Sequence, residues 1–251
     1  MTRIIMCGCN GKMGRVISQL AKEDENAKIV AGVDISGEGP EGYPVFKSIT
    51  ECDVKADVVI DFSAPAALSE ILTAGTQRNL PLVLCTTGYG SDELEQIAEA
   101  SKKVAILRSA NMSLGINLLL SLVQSAAKVL AEADFDIELV EKHHNQKVDA
   151  PSGTALALAD AINEALEHAY IYKYDRSTER VKRDKKEIGI SAVRGGSIVG
   201  EHEVIFAGTD EVIEIKHTAY SKAIFGKGAV AAAKFLAGKP AGMYSMKDVI
   251  E

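Results

Sequence analysis

Short runs of aliphatic and β-branched residues alternate through residues 1–112 with amphipathic stretches of helical length, the pattern of βαβ units around a parallel sheet. The runs predict strands at Ile4–Cys7, Ile29–Val33, Val58–Asp61, Leu82–Cys85 and Val104–Leu107. Helices are expected over Lys12–Lys22, Ala66–Arg78 and Asp92–Lys102, and Pro81 marks a strand start that no helix interior would tolerate. From Ser113 the period changes: a long helix, a strand at Phe135–Lys142 and a helix opening near Ser152 precede a charged segment, DRSTERVKRDKKE. Three alternating runs, EIGISAVR, GEHEVIFAG and EVIEIKHT, then carry the two-residue period of an open sheet with antiparallel members. SKAIFGKGAVAAAKFL is again helical and is expected to return to the first domain. The pattern predicts an α/β chain: a parallel-sheet N-terminal domain over 1–112, completed by 219–251, and an α+β C-terminal domain over 113–218 with an open mixed sheet.

Composition narrows the partners. The 28 basic and 35 acidic residues give a net charge of −7, which argues against nucleic acid or an anionic membrane surface and for a small molecule. The basic cluster at 180–186 has interleaved acid and no aromatics, so it reads as a solvated connecting loop. Cys7, Cys9, Cys52 and Cys85 lack Cys-x-x-Cys spacing and read as reduced thiols of a cytoplasmic protein. No signal peptide is expected, and LGINLLLSLVQSAAKVLAEA is broken by Asn117, Gln124 and Lys128, which predicts a helix with one buried face and not a membrane span.

MCGCNGKMGR follows the first strand and opens the first helix, spacing Gly8, Gly11 and Gly14, and Asp34 ends the second strand. A dinucleotide site needs this order of strand, glycines, helix, strand and acid. Gly8 allows a tight turn, Gly11 lets backbone N–H groups approach a pyrophosphate, and Gly14 permits close helix–strand packing. The helix N-terminus offers unpaired donors and partial positive charge to the phosphates. A packing turn without a ligand is the plainer alternative; the full context favours a nicotinamide dinucleotide on a Rossmann-type domain. Asp34 suits a free ribose 2′-hydroxyl, Ile35 stands where an arginine would meet a 2′-phosphate, and Lys12 partly compensates. NADH is therefore expected to serve at least as well as NADPH. Further contacts are expected after later strands, in Asp61-Phe62-Ser63, Cys85-Thr86-Thr87-Gly88 and Ser109-Ala110-Asn111-Met112, each of which read alone is an ordinary βα loop.

The segment EKHHNQKVDAPSGTA, residues 141–155, sets two histidines beside a lysine and a helix start. Neighbours on a strand point to opposite faces, so His143 and His144 do not share a metal ion, and neither a second His at helical spacing nor a cysteine accompanies them. A pair of core histidines on a continuing strand is one reading. The other draws on the residues C-terminal to the pair: Lys147 adds a cation, Pro151 can begin a helix, Ser152 or Asp149 can cap it, and Gly153 and Thr154 present first-turn N–H groups and a hydroxyl to an anion. Together these make a carboxylate-binding, proton-donating pocket, since histidine titrates near neutrality and lysine is brought toward it by burial or neighbouring cations.

On GCNGKMGR, DFS, TTG, ANMS and above all EKHHNQKVDAPSGTA, continuing through AVRGGSIVGEHEVIF, the chain resembles the 4-hydroxy-tetrahydrodipicolinate (dihydrodipicolinate) reductase family of the diaminopimelate route to lysine, over nearly its whole length. The resemblance implies that His143 is the proton donor and acceptor, that Lys147 is a second donor, and that His144, Gly153 and Thr154 bind substrate carboxylates. It places NADH or NADPH against Gly8, Cys9, Asn10, Gly11, Lys12, Met13, Asp34, Cys85, Thr86, Thr87, Ser109, Ala110, Asn111 and Met112, and involves no metal. It further implies hydride transfer to C4 of a cyclic imine dicarboxylate with loss of the 4-hydroxyl as water, closure about hinges near 110–113 and 217–222, and a homotetramer built through the second domain. Two departures stand out: Cys85 where the family commonly has glycine, and Met112 where phenylalanine is frequent. A dehydrogenase of similar build acting on another small acid is the enzyme alternative. A redox-sensing regulator is the other, and it would have no use for His143 and Lys147 together.

Overall fold

The structure, a computed structural model, describes residues 1–39, 42–109 and 111–250; Ala110, expected at the cofactor, lies outside the described residues. In chain order the elements are β1 (Thr2–Cys7), α1 (Lys12–Glu23), β2 (Ala27–Val33), β3 (Val45–Phe46), β4 (Val58–Asp61), a 3-10 turn at Pro65–Ala67 leading into α2 (Leu68–Arg78), β5 (Leu82–Leu84), α3 (Ser91–Ser101), β6 (Ala105–Arg108), α4 (Leu114–Leu130), β7 (Asp136–His143), α5 (Gly153–Ala165), β8 (Ile171–Lys173), β9 (Glu187–Arg194), β10 (Gly200–Ala207), β11 (Val212–Ala219), α6 (Ala223–Leu236), β12 (Gly242–Tyr244) and α7 (Met246–Ile250). The sequence pattern does not reveal β3, β8, β12 or α7. Two- and three-residue strands are too short to show a period, and each of the three exists because it pairs with a longer neighbour: β3 with β2, β8 with β9 and β12 with β6.

One compact unit comprises Met1–Leu114 and Ala223–Glu251. Its sheet runs β12-β6-β5-β4-β1-β2-β3, with every pair parallel. Strands buried on both faces need apolar residues, and β5 and the first three residues of β4 read that way, with the buried Asp61 as the exception. On one face α1 and α6 bring Ile17, Ala229, Ala232 and Ala233 against Ile4, Met6 and Ile60. On the other, α2 and α3 bring Leu68, Ile71 and Ile97 against Ile5, Val59 and Leu82. Each fully buried aliphatic side chain contributes about 1.5–3 kcal/mol, so these two layers, more than the few bonds of a three-residue β5, hold the sheet. The chain runs outward from β1 through β2 to β3, then returns to β4 on the other side of β1. Ligands bind in parallel sheets at such a reversal.

The second unit is Gly115–Lys222. Its sheet runs β11-β10-β7-β9-β8, with β10 antiparallel to both neighbours and β7, β9 and β8 mutually parallel in adjacent pairs. Along β7 burial alternates, and the buried phase reads Ile137, Leu139, Glu141, His143. The apolar half of this face packs on α4 and α5 through Ile116, Leu119, Leu158 and Ile162. The same face turns polar at its end, where β10 adds His202. Helix α4 buries Ile116, Leu119, Val123 and Ala127 along one side, and among the described residues no helix is long and apolar enough to cross a membrane.

The charged segment before β9 connects elements, yet two of its arginines are held in ion pairs. Arg183 reaches Asp136 and Glu138 and donates to the carbonyls of Ile137 and Glu187, while Arg176 pairs with Glu138 and Glu187. The segment is thereby clamped across β7 and β9. Charge composition alone does not distinguish a clamp from a solvated loop, because two of the acidic partners, Asp136 and Glu138, lie on a strand some forty residues earlier.

Candidate active site

In the first unit the glycine loop is built as close packing demands. Gly8 has φ +78°, and a Cβ there would stand 2.5 Å from the Phe62 carbonyl oxygen. At Gly14 a Cβ would lie 2.2 Å from the Gly8 oxygen and 2.7 Å from Cys9, so helix α1 rests directly on the turn. No side chain caps α1, whose N-cap is Gly11, and its first-turn N–H groups face the loop as donors for an anion. Beside it a cavity of about 510 Å³, lined by residues including Gly8, Gly11, Asp34, Lys47, Ser63 and Glu70, opens at the ends of β1, β2 and β4. Volume, glycine cradle and uncapped helix fit a dinucleotide.

Asp34 lies in that cavity, where its carboxylate accepts from the Asn10 N–H at 3.2 Å and from the Ser36 hydroxyl at 3.0 Å. Burial pushes this acid up, but the bonds from Ser36 and Asn10 outweigh it and hold it below the ordinary carboxylate value. It is therefore an ionised acceptor. Lys12 is exposed, and Lys47, which sequence reasoning missed, lines the cavity from the end of β3.

Other expected cofactor residues are placed less directly. The side chains of Cys9, Cys85 and Met112 are buried in the core layer under α1 and α6, and Gly32 makes room for the Cys9 sulfur, so only their backbones are available to a ligand. Thr86 donates its hydroxyl to the buried Asp61 at 2.7 Å, and Ser63 N–H donates to the same carboxylate at 3.0 Å. Asp61 thus ties the loops after β4 and β5 together. Thr87 is exposed, and Ser109 bonds within its own loop to the Asn111 carbonyl.

In the second unit Glu141 is the centre. Its side chain is 0% exposed, and each oxygen accepts two hydrogen bonds: Oε1 from Arg194 Nη2 at 2.7 Å and the Ser152 N–H at 3.0 Å, Oε2 from Arg194 Nη1 at 2.8 Å and His143 Nδ1 at 2.6 Å. Burial would raise this acid, yet Arg194, His143 and Ser152 together hold it below its ordinary value. His143 Nε2 lies against Gly200, where a Cβ would stand 3.1 Å away, and makes no hydrogen bond among the described residues. His202 packs edge-on against the His143 ring at 5.1 Å and shares a 3.0 Å hydrogen bond with the Ser152 hydroxyl. Burial first, then the neighbouring His143, push His202 down to about 4, which keeps it neutral.

Three details of the histidine segment differ from expectation. Strand β7 ends at His143, so His144 already belongs to the turn, where its carbonyl accepts from Lys147 N–H, and strand alternation does not separate the pair. Ser152 is the N-cap of α5, its hydroxyl accepting from Ala155 N–H at 3.2 Å; Pro151 stands before the cap and is not the first helical residue. Lys147 is ion-paired with Asp149 at 2.8 Å, so the acid expected as an alternative cap neutralises the lysine instead. Gly153 is exposed at the helix start, and a Cβ there would meet nothing within 4 Å, which leaves open space for an anion.

Two family models cover the chain: dihydrodipicolinate reductase, N-terminus, over residues 2–112, and dihydrodipicolinate reductase, C-terminus, over residues 115–250. The chain belongs to the dihydrodipicolinate reductase family. It is 52% identical to the 4-hydroxy-tetrahydrodipicolinate reductase of Clostridium novyi (strain NT), covering 100% of this chain and 99% of the relative. It is 54% identical to that of Caldanaerobacter subterraneus subsp. tengcongensis, with the same coverage. A solved dipicolinate-bound dihydrodipicolinate reductase from Paenisporosarcina sp. TG-14 matches with a TM-score of 0.84 at 25% identity, covering 100% of both chains.

Within the framework of this reductase family, sequence reasoning gathered His143, His144, Lys147, Gly153 and Thr154 into one segment but missed Glu141, Arg194 and His202. One signal was available: Glu141 and His143 are two apart on a strand and so share a face. The others required the register, which sets His143 opposite Arg194 and Glu141 opposite His202.

Proposed function

We infer that His143 delivers the proton, and that Lys147, His144 and the start of α5 hold the substrate carboxylates, in the reduction of 4-hydroxy-tetrahydrodipicolinate, the step of the diaminopimelate route to lysine carried out by this family. The observation that carries this reading is the His143 ring itself, fixed at Nδ1 by a buried carboxylate and bare at Nε2. A nicotinamide, when bound, supplies the hydride. Arrival of a hydride gives the ring enamine character, and an acid beside it discharges that charge as it forms. Lys147 binds by exchanging Asp149 for a substrate carboxylate, and first-turn N–H groups at Gly153 and Thr154 suit the same kind of anion.

The test supplies the ring substrate in situ from dihydrodipicolinate synthase and follows oxidation of NADH and NADPH by the purified protein. An ionised Asp34 accepts from a ribose 2′-hydroxyl and repels a 2′-phosphate, with Lys12 and Lys47 as partial compensation. We expect kcat/KM with NADH at least equal to that with NADPH, and a strong preference for NADPH would overturn this assignment of Asp34.

Assembly belongs to the same proposal. Val193, Val212 and Ile213 are exposed on the second unit's sheet, and β11 and β8 are its edges, which supports pairing of copies through this domain. Light scattering should return the mass of a tetramer; a monomer at micromolar concentration would rule it out.

A further inference from the structure

We propose that Glu141, clamped by Arg194, is the positioning residue of this site: it fixes the proton of neutral His143 on Nδ1, presents Nε2 as the atom that exchanges protons, and ties the ring to the start of helix α5. This rests on the reading of His143 as the proton donor.

The argument is one of hydrogen-bond capacity. An ionised carboxylate has about four lone-pair sites and no proton to give. Glu141 has four donors around it: two from the Arg194 fork, one from Ser152 N–H and one from the His143 ring. The guanidinium never gives up its charge, and a fork on both oxygens favours the ionised acid. With every site filled by a donor, the contact to Nδ1 is satisfied only if Nδ1 carries the hydrogen. Neutral His143 is therefore the Nδ1–H tautomer, with its lone pair on Nε2 beside Gly200. In the charged ring both nitrogens carry hydrogen. Donation breaks the Nε2–H bond, passes that proton to the enamine carbon of the substrate, and leaves the neutral ring in the tautomer Glu141 already selects; a proton from solvent then restores the imidazolium.

Glu141 also joins elements that sequence separates. Ser152, bonded through its N–H to Oε1, is the cap of α5, and Arg194 donates from Nη2 to the Asp149 carbonyl at 2.6 Å. The loop carrying Lys147 thus runs between His143 and Ser152, both bonded to the one carboxylate, and Arg194 holds it again at Asp149. Displacing that carboxylate would move the proton donor and the anion cradle together.

The experiment reads the tautomer directly. The chain has five histidines, so long-range ¹H–¹⁵N spectra of the full-length, histidine-labelled protein are simple, and the His143 signals are assigned by their loss in His143→Gln. With the ring neutral, wild type should show Nδ1 protonated and Nε2 bare. In Glu141→Gln one oxygen still serves Arg194 Nη2 and the Ser152 N–H, but the NH₂ group faces Arg194 Nη1 and His143 Nδ1, so Nη1 loses its acceptor and the ring should switch to Nε2–H. Activity should follow: kcat down by about 10²- to 10⁴-fold, the cost of a wrong tautomer or a lost acid, with KM for substrate and for NADH within about threefold. The solvent deuterium isotope effect on kcat should rise as proton transfer becomes limiting, and the effect of 4-deuterated NADH should fall. A merely structural role would change stability and both KM values without inverting these isotope effects.

An Nε2–H tautomer in the wild-type protein overturns the proposal whether or not the variant folds, and so does a Glu141→Gln enzyme with unaltered tautomer and kcat. If His143→Gln itself keeps full turnover, the proton-donor reading fails while the wild-type spectrum still reports whether Glu141 sets the ring. The two failures are therefore distinguishable.

Discussion

Replacing His143 by glutamine is expected to lower kcat by about 10²- to 10⁴-fold, the usual worth of a positioned general acid, while the protein stays folded. Glutamine sets its amide where Nε2 stood, so Glu141 gives up the Nδ1 donor but keeps Arg194 and the Ser152 N–H, and the side chain has no proton to release at neutral pH. Lys147→Ala should behave differently. Its ammonium sits on Asp149 and in the proposed function holds a carboxylate by charge, so its loss should raise KM for the dicarboxylate as well as lower kcat/KM. Steady-state kinetics in the coupled assay with both variants separates the two roles. Wild-type turnover in both would show that the catalytic assignment is wrong.

Arg194→Ala should be among the most destabilising single changes in the second unit, at about 3–5 kcal/mol, because it strands a buried charge. Glu141 is fully buried and would lose two of its four donors, including the only permanent positive charge among them. The loss should depend on pH, and its sign is set by the depressed pKa of Glu141. A carboxylate held below its ordinary value stabilises the fold above that value, and the contribution disappears as pH falls through the folded-state titration. Wild type and Arg194→Ala should therefore differ most near neutrality and converge below pH 4.5, the ordinary value for this glutamate, as it takes up a proton in both states. Urea unfolding across that range measures it. A pH-independent gap would mean that the arginine acts through packing alone. His202 adds a separate trend: held neutral down to about 4 when folded but titrating at 6.5 when unfolded, it makes the native state lose stability as pH drops between those values.

Much of the architecture was legible because it is periodic. The span of β9 and the start of β10 coincide with the alternating runs EIGISAVR and GEHEVIFAG, and α1 begins where the glycine loop ends. The loop was also legible because Gly14 answers to local sterics: a Cβ there has no space whatever lies elsewhere. The HH-x-x-K segment was legible as chemistry, since a helix start with a cation and two imidazoles suits an anion and a proton on local grounds. Its internal wiring was not. That Asp149 would take Lys147 and leave the capping of α5 to Ser152, the other candidate, depended on which of several adequate local partners came within reach.

The sequence by itself determined the longer elements, the parallel sheet of the first unit, the dinucleotide cradle and the segment proposed to hold the proton donor, because periodicity and glycine sterics act over a few residues. Only the tertiary structure decided how that donor is held. Glu141 and Arg194 lie fifty-three residues apart and meet through the parallel register of β7 and β9. A lone glutamate on a strand reads as an exposed charge until a neighbouring strand brings it an arginine, and strand register is set by the burial of a whole face, which no short window of sequence contains.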